Sequence, residues 1–153
     1  MLTVGSKAPE ITATLDDGSE FVLSDALRTK NVVLYFYPRD FTTGCTKEAC
    51  NFRDNYSAIA EHGALIVGVS TDSADRHASF RESHNLPFPL LADPGRTVVH
   101  AYKARGLFGL GTARVTYVID RQSTIRAVIR HDLNISAHVP EVLAALAKIA
   151  APA

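Results

Sequence analysis

Two short runs constrain the fold more than anything else in this chain. Val32-Val33-Leu34-Tyr35-Phe36-Tyr37 and Ala64-Leu65-Ile66-Val67-Gly68-Val69 are continuous, apolar and β-rich. Alternation of apolar and polar residues marks a strand with one wet face, whereas an unbroken run marks a strand buried on both faces. Such strands need cover on two sides, and helical stretches do alternate with short apolar runs along the chain. The class expected is therefore α/β, with helices layered on a central sheet. The first strand should stop at Pro38, because proline has no N–H for the ladder. A helix is predicted from about Cys45 to His62, with Gly63 as its C-cap. Its stripe Cys45, Ala49, Phe52, Tyr56 and Ile59 steps by fours and threes, which is one buried face.

The remaining elements follow from the same periodicities. Ile11 to Leu23 carries Asp16-Asp17-Gly18 between two alternating stretches and reads as an N-terminal β-hairpin. A helix is expected from about Ala74 to Ser83, a short strand over Phe88–Ala92 and a short helix over Arg96–Lys103. Gly106–Gly111 is a glycine-rich loop, and Val115–Ile119 is a strand. In Ile125–Arg130, apolar residues alternate with Arg126 and Arg130, which predicts a half-exposed strand near a sheet edge. The last helix should start at about Ser136 or Pro140 and run to Ala150, with Val142, Leu143, Leu146 and Ile149 inward. No repeat or linker interrupts the 153 residues, so one domain spanning 1–153 is expected. The 46% hydrophobic content supplies a core without disulfides or a structural metal.

Charge and segment patterns exclude several functions. Lys plus Arg and Asp plus Glu both number 16, so no long-range grip on nucleic acid is expected. No run of about 18 apolar residues offers a membrane span. Met1-Leu2-Thr3-Val4-Gly5 lacks the basic and apolar regions of a signal peptide. The two cysteines, Cys45 and Cys50, are too few for a disulfide framework, so a thiol role and a cytoplasmic location are expected.

The placement of Cys45 gives that thiol a chemistry. It follows the carboxyl end of a buried strand, where sites collect in open α/β sheets. It also opens a helix, whose free N–H groups and positive dipole end favour negative charge on sulfur. In phase with the core stripe, it should point into a pocket, which suits a nucleophile. The competing reading is a small buried hydrophobe. Cys50 sits five residues on, about 140° around the helix and about 7.5 Å along it. A disulfide needs Cα atoms within about 7 Å, so the first turns must unwind if the two ever bond. That predicts a redox switch in local structure rather than a permanent staple. A metal site is disfavoured, since zinc needs about four ligands. The C-x4-C spacing is not that of a zinc finger, and no motif gathers His62, His131 and His138. No metal or cofactor is therefore expected.

The segment Tyr35-Phe36-Tyr37-Pro38-Arg39-Asp40-Phe41-Thr42-Thr43-Gly44-Cys45-Thr46-Lys47-Glu48-Ala49-Cys50 resembles the active-site segment of peroxiredoxins. The spacing of its second cysteine resembles the peroxiredoxin Q, or bacterioferritin comigratory protein, subfamily. The likeness continues in order at Asn51–Asn55, Val67–Asp72, Leu90–Asp93, Arg114–Asp120 and His138–Leu146. It implies a thioredoxin-like fold with a mixed sheet. It also implies a thiol peroxidase for hydrogen peroxide and organic hydroperoxides. Cys45 matches the peroxidatic cysteine, which becomes a sulfenic acid. Cys50 matches the resolving cysteine, which closes an intramolecular disulfide that thioredoxin or a similar dithiol reduces. Thr42 matches the hydroxyl that orients the peroxide, with helix N-capping as its ordinary role. Pro38 matches the proline that covers the thiolate. Arg114 matches the arginine that stabilises it, and Glu48 matches a polar position supporting that arginine. Arg114 precedes its strand while Cys45 follows its own, so Val115–Ile119 must run antiparallel to Val32–Tyr37 for the two to meet.

Lys103–Ala113 departs from the family pattern, being short and apolar where many members carry a longer polar loop. This leaves reductant docking and the preference among peroxides open. Leu107, Phe108 and Leu110 could form a self-association patch; an intramolecular disulfide needs no second subunit, and a monomer or weak homodimer is expected. A thioredoxin-type oxidoreductase would need C-x-x-C, and a glutathione peroxidase would use a tryptophan, which this chain lacks. A non-enzymatic alternative is a peroxide-sensing or holdase-like module built on the same cysteine pair.

Overall fold

The computed structural model describes residues 1–149. Strands β1 (Thr12–Leu15) and β2 (Glu20–Val22) form the expected hairpin, closed at Gly18 in a left-handed conformation (φ 85°). A short helix α1 (Leu23–Ala26) leads into β3 (Asn31–Phe36). Helices α2 (Thr43–Asp54) and α3 (Tyr56–Glu61) follow, then β4 (Ala64–Ser70) and α4 (Ala74–His84). Next come β5 (Leu90–Ala92), α5 (Thr97–Ala101), β6 (Val115–Ile119), β7 (Ile125–Arg130) and α6 (His138–Ala147). Among the described residues the strands make one mixed seven-stranded sheet in the order β2-β1-β5-β4-β3-β6-β7. The predicted end of the last helix at Ala150 lies outside the described residues.

The unbroken apolar runs are central strands, as expected. Every residue of β3 is buried. Val32, Leu34 and Phe36 join a core with α5 residues Val98 and Val99. Val33, Tyr35 and Tyr37 join a second core with Ala49 and Phe52 of α2, Phe80 of α4 and Val142 of α6. Alternate side chains of one strand thus anchor two helical layers. β3 pairs parallel with β4 and antiparallel with β6, the direction that Arg114 needs if it is to meet Cys45. β7 is a sheet edge, as its alternation predicted.

Several boundaries differ from the sequence reading; β3 ends at Phe36 rather than Tyr37, and α5 covers Thr97–Ala101 rather than Arg96–Lys103. The long helix starts at Thr43 and breaks after Asp54. Asn55 donates its side-chain amide to the Asn51 carbonyl at 2.8 Å, and its backbone N–H is shared between Asn51 and Phe52. A side chain that competes for helix carbonyls weakens the ladder. The apolar stripe continues into α3, so the break leaves the periodicity intact. β5 begins at Leu90 rather than Phe88, after Pro89. The last helix starts at His138, after a tight turn over Ile135–Ala137.

Candidate active site

β3 delivers its chain end to Pro38, and the loop that follows feeds α2. Thr42 is the last residue before the helix, with extended backbone (φ −83°, ψ 153°). Its hydroxyl caps no helix N–H and donates instead to the Arg39 carbonyl at 3.0 Å. The capping role expected of it is therefore corrected. Cys45 is the third residue of α2, so its amide belongs to the first turn, whose N–H groups have no acceptor within the helix. The thiol is 1% exposed and packs with Tyr35, Ala49 and Phe52.

Arg114 reaches this thiol across the sheet. The antiparallel register sets Phe36 opposite Val115, so the residue before β6 stands beside the end of β3. The Arg114 backbone N–H donates to Asp132 at 3.0 Å, fixing its position against the end of β7. Arg114 Nη1 lies 3.2 Å from Cys45 Sγ and 3.4 Å from Glu48 Oε1. Gly44 makes this approach possible: a Cβ there would lie 2.7 Å from Arg114 Nη2 and 3.1 Å from Ile135 Cδ1.

Glu48 completes the group one turn beyond Cys45. It is 1% exposed, and its Oε2 has no hydrogen-bond partner among the described residues. Burial pushes its carboxyl up to about 8, against the opposing pull of Arg114. His138 Nε2 stands 3.6 Å from that oxygen and 3.0 Å from the His131 carbonyl, while Nδ1 meets the Thr116 hydroxyl at 2.9 Å. Burial also holds the His138 imidazole below the usual range, so the pair is a neutral contact rather than an ion pair.

Cys50 is half-buried, and both thiols are free. Both lie within the intact α2, which keeps them apart in the manner the helical spacing predicts. Pro38 is exposed; with Arg39, Thr42, Arg96 and Thr112 it lines a recess of about 370 Å³. The structure thus groups Cys45, Arg114 and Glu48 and sets Pro38 and Thr42 at the neighbouring recess. Gly106–Gly111 forms a narrow turn closed by an Arg105–Thr112 bridge, with Phe108 and Leu110 largely exposed.

Several neighbours escaped the sequence reading. Gly44 falls just before the predicted helix start at Cys45, where a glycine is ordinary, so its close approach to Arg114 shows only in the fold. His138 and Thr116 carried no signal. Nor did a second buried cluster on the other side of the loop. There Tyr37 donates to Asp40 Oδ1 at 2.5 Å, and His77 Nδ1 lies 2.6 Å from Asp40 Oδ2. The Asp40 N–H donates to Asp72 at 2.9 Å. Asp40, Asp72 and His77 present ligand-type atoms within 4.8 Å of one another. Each of those residues already holds protein partners there, Asp72 through the Ser70 hydroxyl and Arg76 as well.

Comparison with known proteins agrees with this architecture. Residues 4–128 match the AhpC/TSA family. The chain is 42% identical over 151 residues to a putative peroxiredoxin of Coxiella burnetii, covering 95% of this chain and 99% of the relative. It is 41% identical to peroxiredoxin Bcp of Bacillus subtilis, covering 95% of each. The crystal structure of peroxidoxin BcpB from Mycobacterium tuberculosis superposes with a TM-score of 0.90 at 37% identity, covering 98% of this chain and 99% of that one. The bacterioferritin comigratory protein of Xanthomonas campestris superposes with a TM-score of 0.82 at 29% identity, covering 90% of each. The chain belongs to the AhpC/TSA family, as a thiol peroxidase of the peroxiredoxin kind whose relatives are bacterioferritin comigratory proteins and peroxiredoxins Q.

Proposed function

We propose that the chain reduces hydrogen peroxide and organic hydroperoxides through Cys45 and recycles through a Cys45–Cys50 disulfide. The observation that carries this reading is the Arg114 guanidinium 3.2 Å from a buried sulfur 69 residues away. A cation at that distance favours the thiolate and can also meet the peroxide oxygens. Glu48, with its carboxyl at about 8, is mostly protonated near neutral pH and leaves that charge to the sulfur. The thiolate attacks one peroxide oxygen, and the O–O bond breaks. Water or an alcohol leaves after taking a proton, and the sulfur becomes a sulfenic acid. The Thr42 proton is engaged by the Arg39 carbonyl, so its oxygen lone pairs are available to accept the peroxide O–H and align it. Pro38 shields this approach from water.

Resolution needs the first turns of α2 to unwind. The Cys50 sulfur then attacks the sulfenic sulfur, an S–S bond forms, and the S–O bond breaks with release of water. An external dithiol of the thioredoxin type reduces the disulfide. Among the described residues no helix is long and apolar enough to cross a membrane, which suits a reaction with such a reductant in the cytoplasm. The reading needs no cofactor and only one subunit.

A coupled assay tests it: hydrogen peroxide, thioredoxin, its reductase and NADPH, followed by NADPH loss. Many turnovers are expected, abolished in Cys45→Ser. Cys50→Ser should still consume one equivalent of peroxide but form no intramolecular disulfide. One stoichiometric oxidation without turnover under any dithiol would instead identify a sensor.

A further inference from the structure

The cluster around Asp40 occupies a position that the peroxidase chemistry leaves unused. Asp40 and His77 are both fully buried. His77 Nε2 lies 3.0 Å from the Leu91 carbonyl, which can only accept, so that nitrogen carries a proton. The other ring nitrogen and Asp40 Oδ2 therefore share one further proton across 2.6 Å. Tyr37 and the Asp72-bound backbone complete the satisfaction of Asp40. A fully partnered buried group of this kind is rigid, because loosening any member strands the rest.

Immediately after Asp40 the backbone changes character. Phe41 has a left-handed φ of 64°, unusual for a bulky residue. Its ring is 45% exposed, lies edge-on to Phe80 at 5.2 Å and sits under the Arg76 guanidinium at 5.1 Å. Arg76, His77 and Phe80 all belong to α4. One helix thus grips the loop just before the segment that must unwind, and a strained hinge residue follows the grip.

We propose that Asp40 and His77 form a latch fixing the start of the Cys45 segment, and that its strength sets how readily α2 unwinds for Cys45 to meet Cys50. His77 is then a positioning residue that touches neither substrate nor sulfur. The proposal rests on the disulfide reading above. A firm latch holds Cys45 folded against Arg114 for attack, and a weak one speeds closure while slowing attack.

Amide hydrogen exchange on the reduced full chain reads the latch without any disulfide. His77→Gln, which withdraws the donor from Asp40, should speed exchange in residues 41–50 by roughly tenfold while β3 and β4 keep parental rates. Stopped-flow oxidation should show disulfide closure faster by about tenfold and peroxide attack slower by a similar factor. His77→Asn places an amide where Nδ1 was and should return all three readouts to within about twofold of the parent. Tyr37→Phe removes the hydroxyl that donates to Asp40 and lies 3.4 Å from His77 Nδ1 while leaving the Asp40–His77 pair in place, and it keeps the test open if His77→Gln fails to fold; about a threefold gain in exchange and closure is expected. Parental exchange and closure rates in a folded latch variant would overturn the proposal. So would faster exchange spread evenly over the sheet, since that marks a general loss of stability. A parent that forms no Cys45–Cys50 disulfide would overturn the resolving role of Cys50 and the part of the proposal concerning closure, with exchange still reporting the latch itself.

Discussion

Asp40 and Glu48 stand on either side of Cys45, and both carboxyls are almost completely buried. Asp40 meets His77 and Tyr37 with its two oxygens. Glu48 has one oxygen near Arg114 and the other without a partner among the described residues. The first carboxyl is held by geometry. The second sits under a guanidinium that it shares with a sulfur, and burial raises it to about 8. A buried polar group with all its partners resists change, and one with half of them responds to charge nearby. On the proposals above, the first kind holds the loop and the second lets charge be redistributed at the sulfur.

Truncation should separate the two most sharply. Asp40→Ala strands a buried imidazole and a buried phenol, and breaking such a pair costs about 3–5 kcal/mol. Glu48→Ala deletes a carboxyl already opposed by its own desolvation, and should cost less than half as much. Urea unfolding at neutral pH measures both. Equal losses would break the distinction between a satisfied and an unsatisfied carboxyl.

How much of this was legible depended on whether a residue's role is set by local pattern or by distant neighbours. The two-sided burial of β3 showed directly as an absence of alternation. The pairing of Arg114 with Cys45 came from the family likeness and not from any local pattern; what it made legible was the antiparallel run of β6 against β3, since one residue precedes its strand and the other follows its own. His77 gave no such signal: it lies in Ala74–His84, a mostly polar helix whose buried residues are only His77 and Phe80. Its partner Asp40 lies in an irregular loop that has no period to read. The Asn55 break was hidden because the apolar stripe runs through it. Thr42 lies just before the helix, but its hydroxyl donates backward to the Arg39 carbonyl rather than accepting a helix N–H, a choice that spacing does not encode.

A pH titration sharpens the comparison at its responsive side. The Glu48 carboxyl is at about 8 in the folded chain against an ordinary value of 4.5. Between those values the folded protein binds a proton that the unfolded chain has released. Stability from this group is complete below about 4.5 and is lost as pH rises through about 8. Subtracting the stability profile of Glu48→Gln from that of the parent should leave this downward slope. Activity should move with it. Above pH 8 the ionised carboxylate competes with sulfur for Arg114, so the ratio of parental to Glu48→Gln peroxide rate should fall. A ratio that is flat across pH 6–9 would show that Glu48 does not share the guanidinium.

The smallest expected effect falls on Gly44 and isolates the guanidinium from both carboxyls. In an ordinary helix Gly→Ala stabilises by about 0.5–1 kcal/mol, because alanine loses less backbone freedom on folding. The backbone at Gly44 is not left-handed, so no conformational strain offsets that gain. What opposes it is contact, since the new methyl would stand 2.7 Å from Arg114 Nη2 and 3.1 Å from Ile135 Cδ1. The guanidinium is the far end of a long side chain and can retreat, whereas the helix backbone cannot. Gly44→Ala should therefore leave stability within about 1 kcal/mol of the parent. It should lower the peroxide rate constant by roughly tenfold, the equivalent of about 1.4 kcal/mol in the barrier. Exchange in residues 41–50 should stay parental, because the latch at Asp40 does not feel the methyl. A parental rate would mean that Arg114 can serve the sulfur from a retracted position, and that the close approach seen here is packing rather than catalysis.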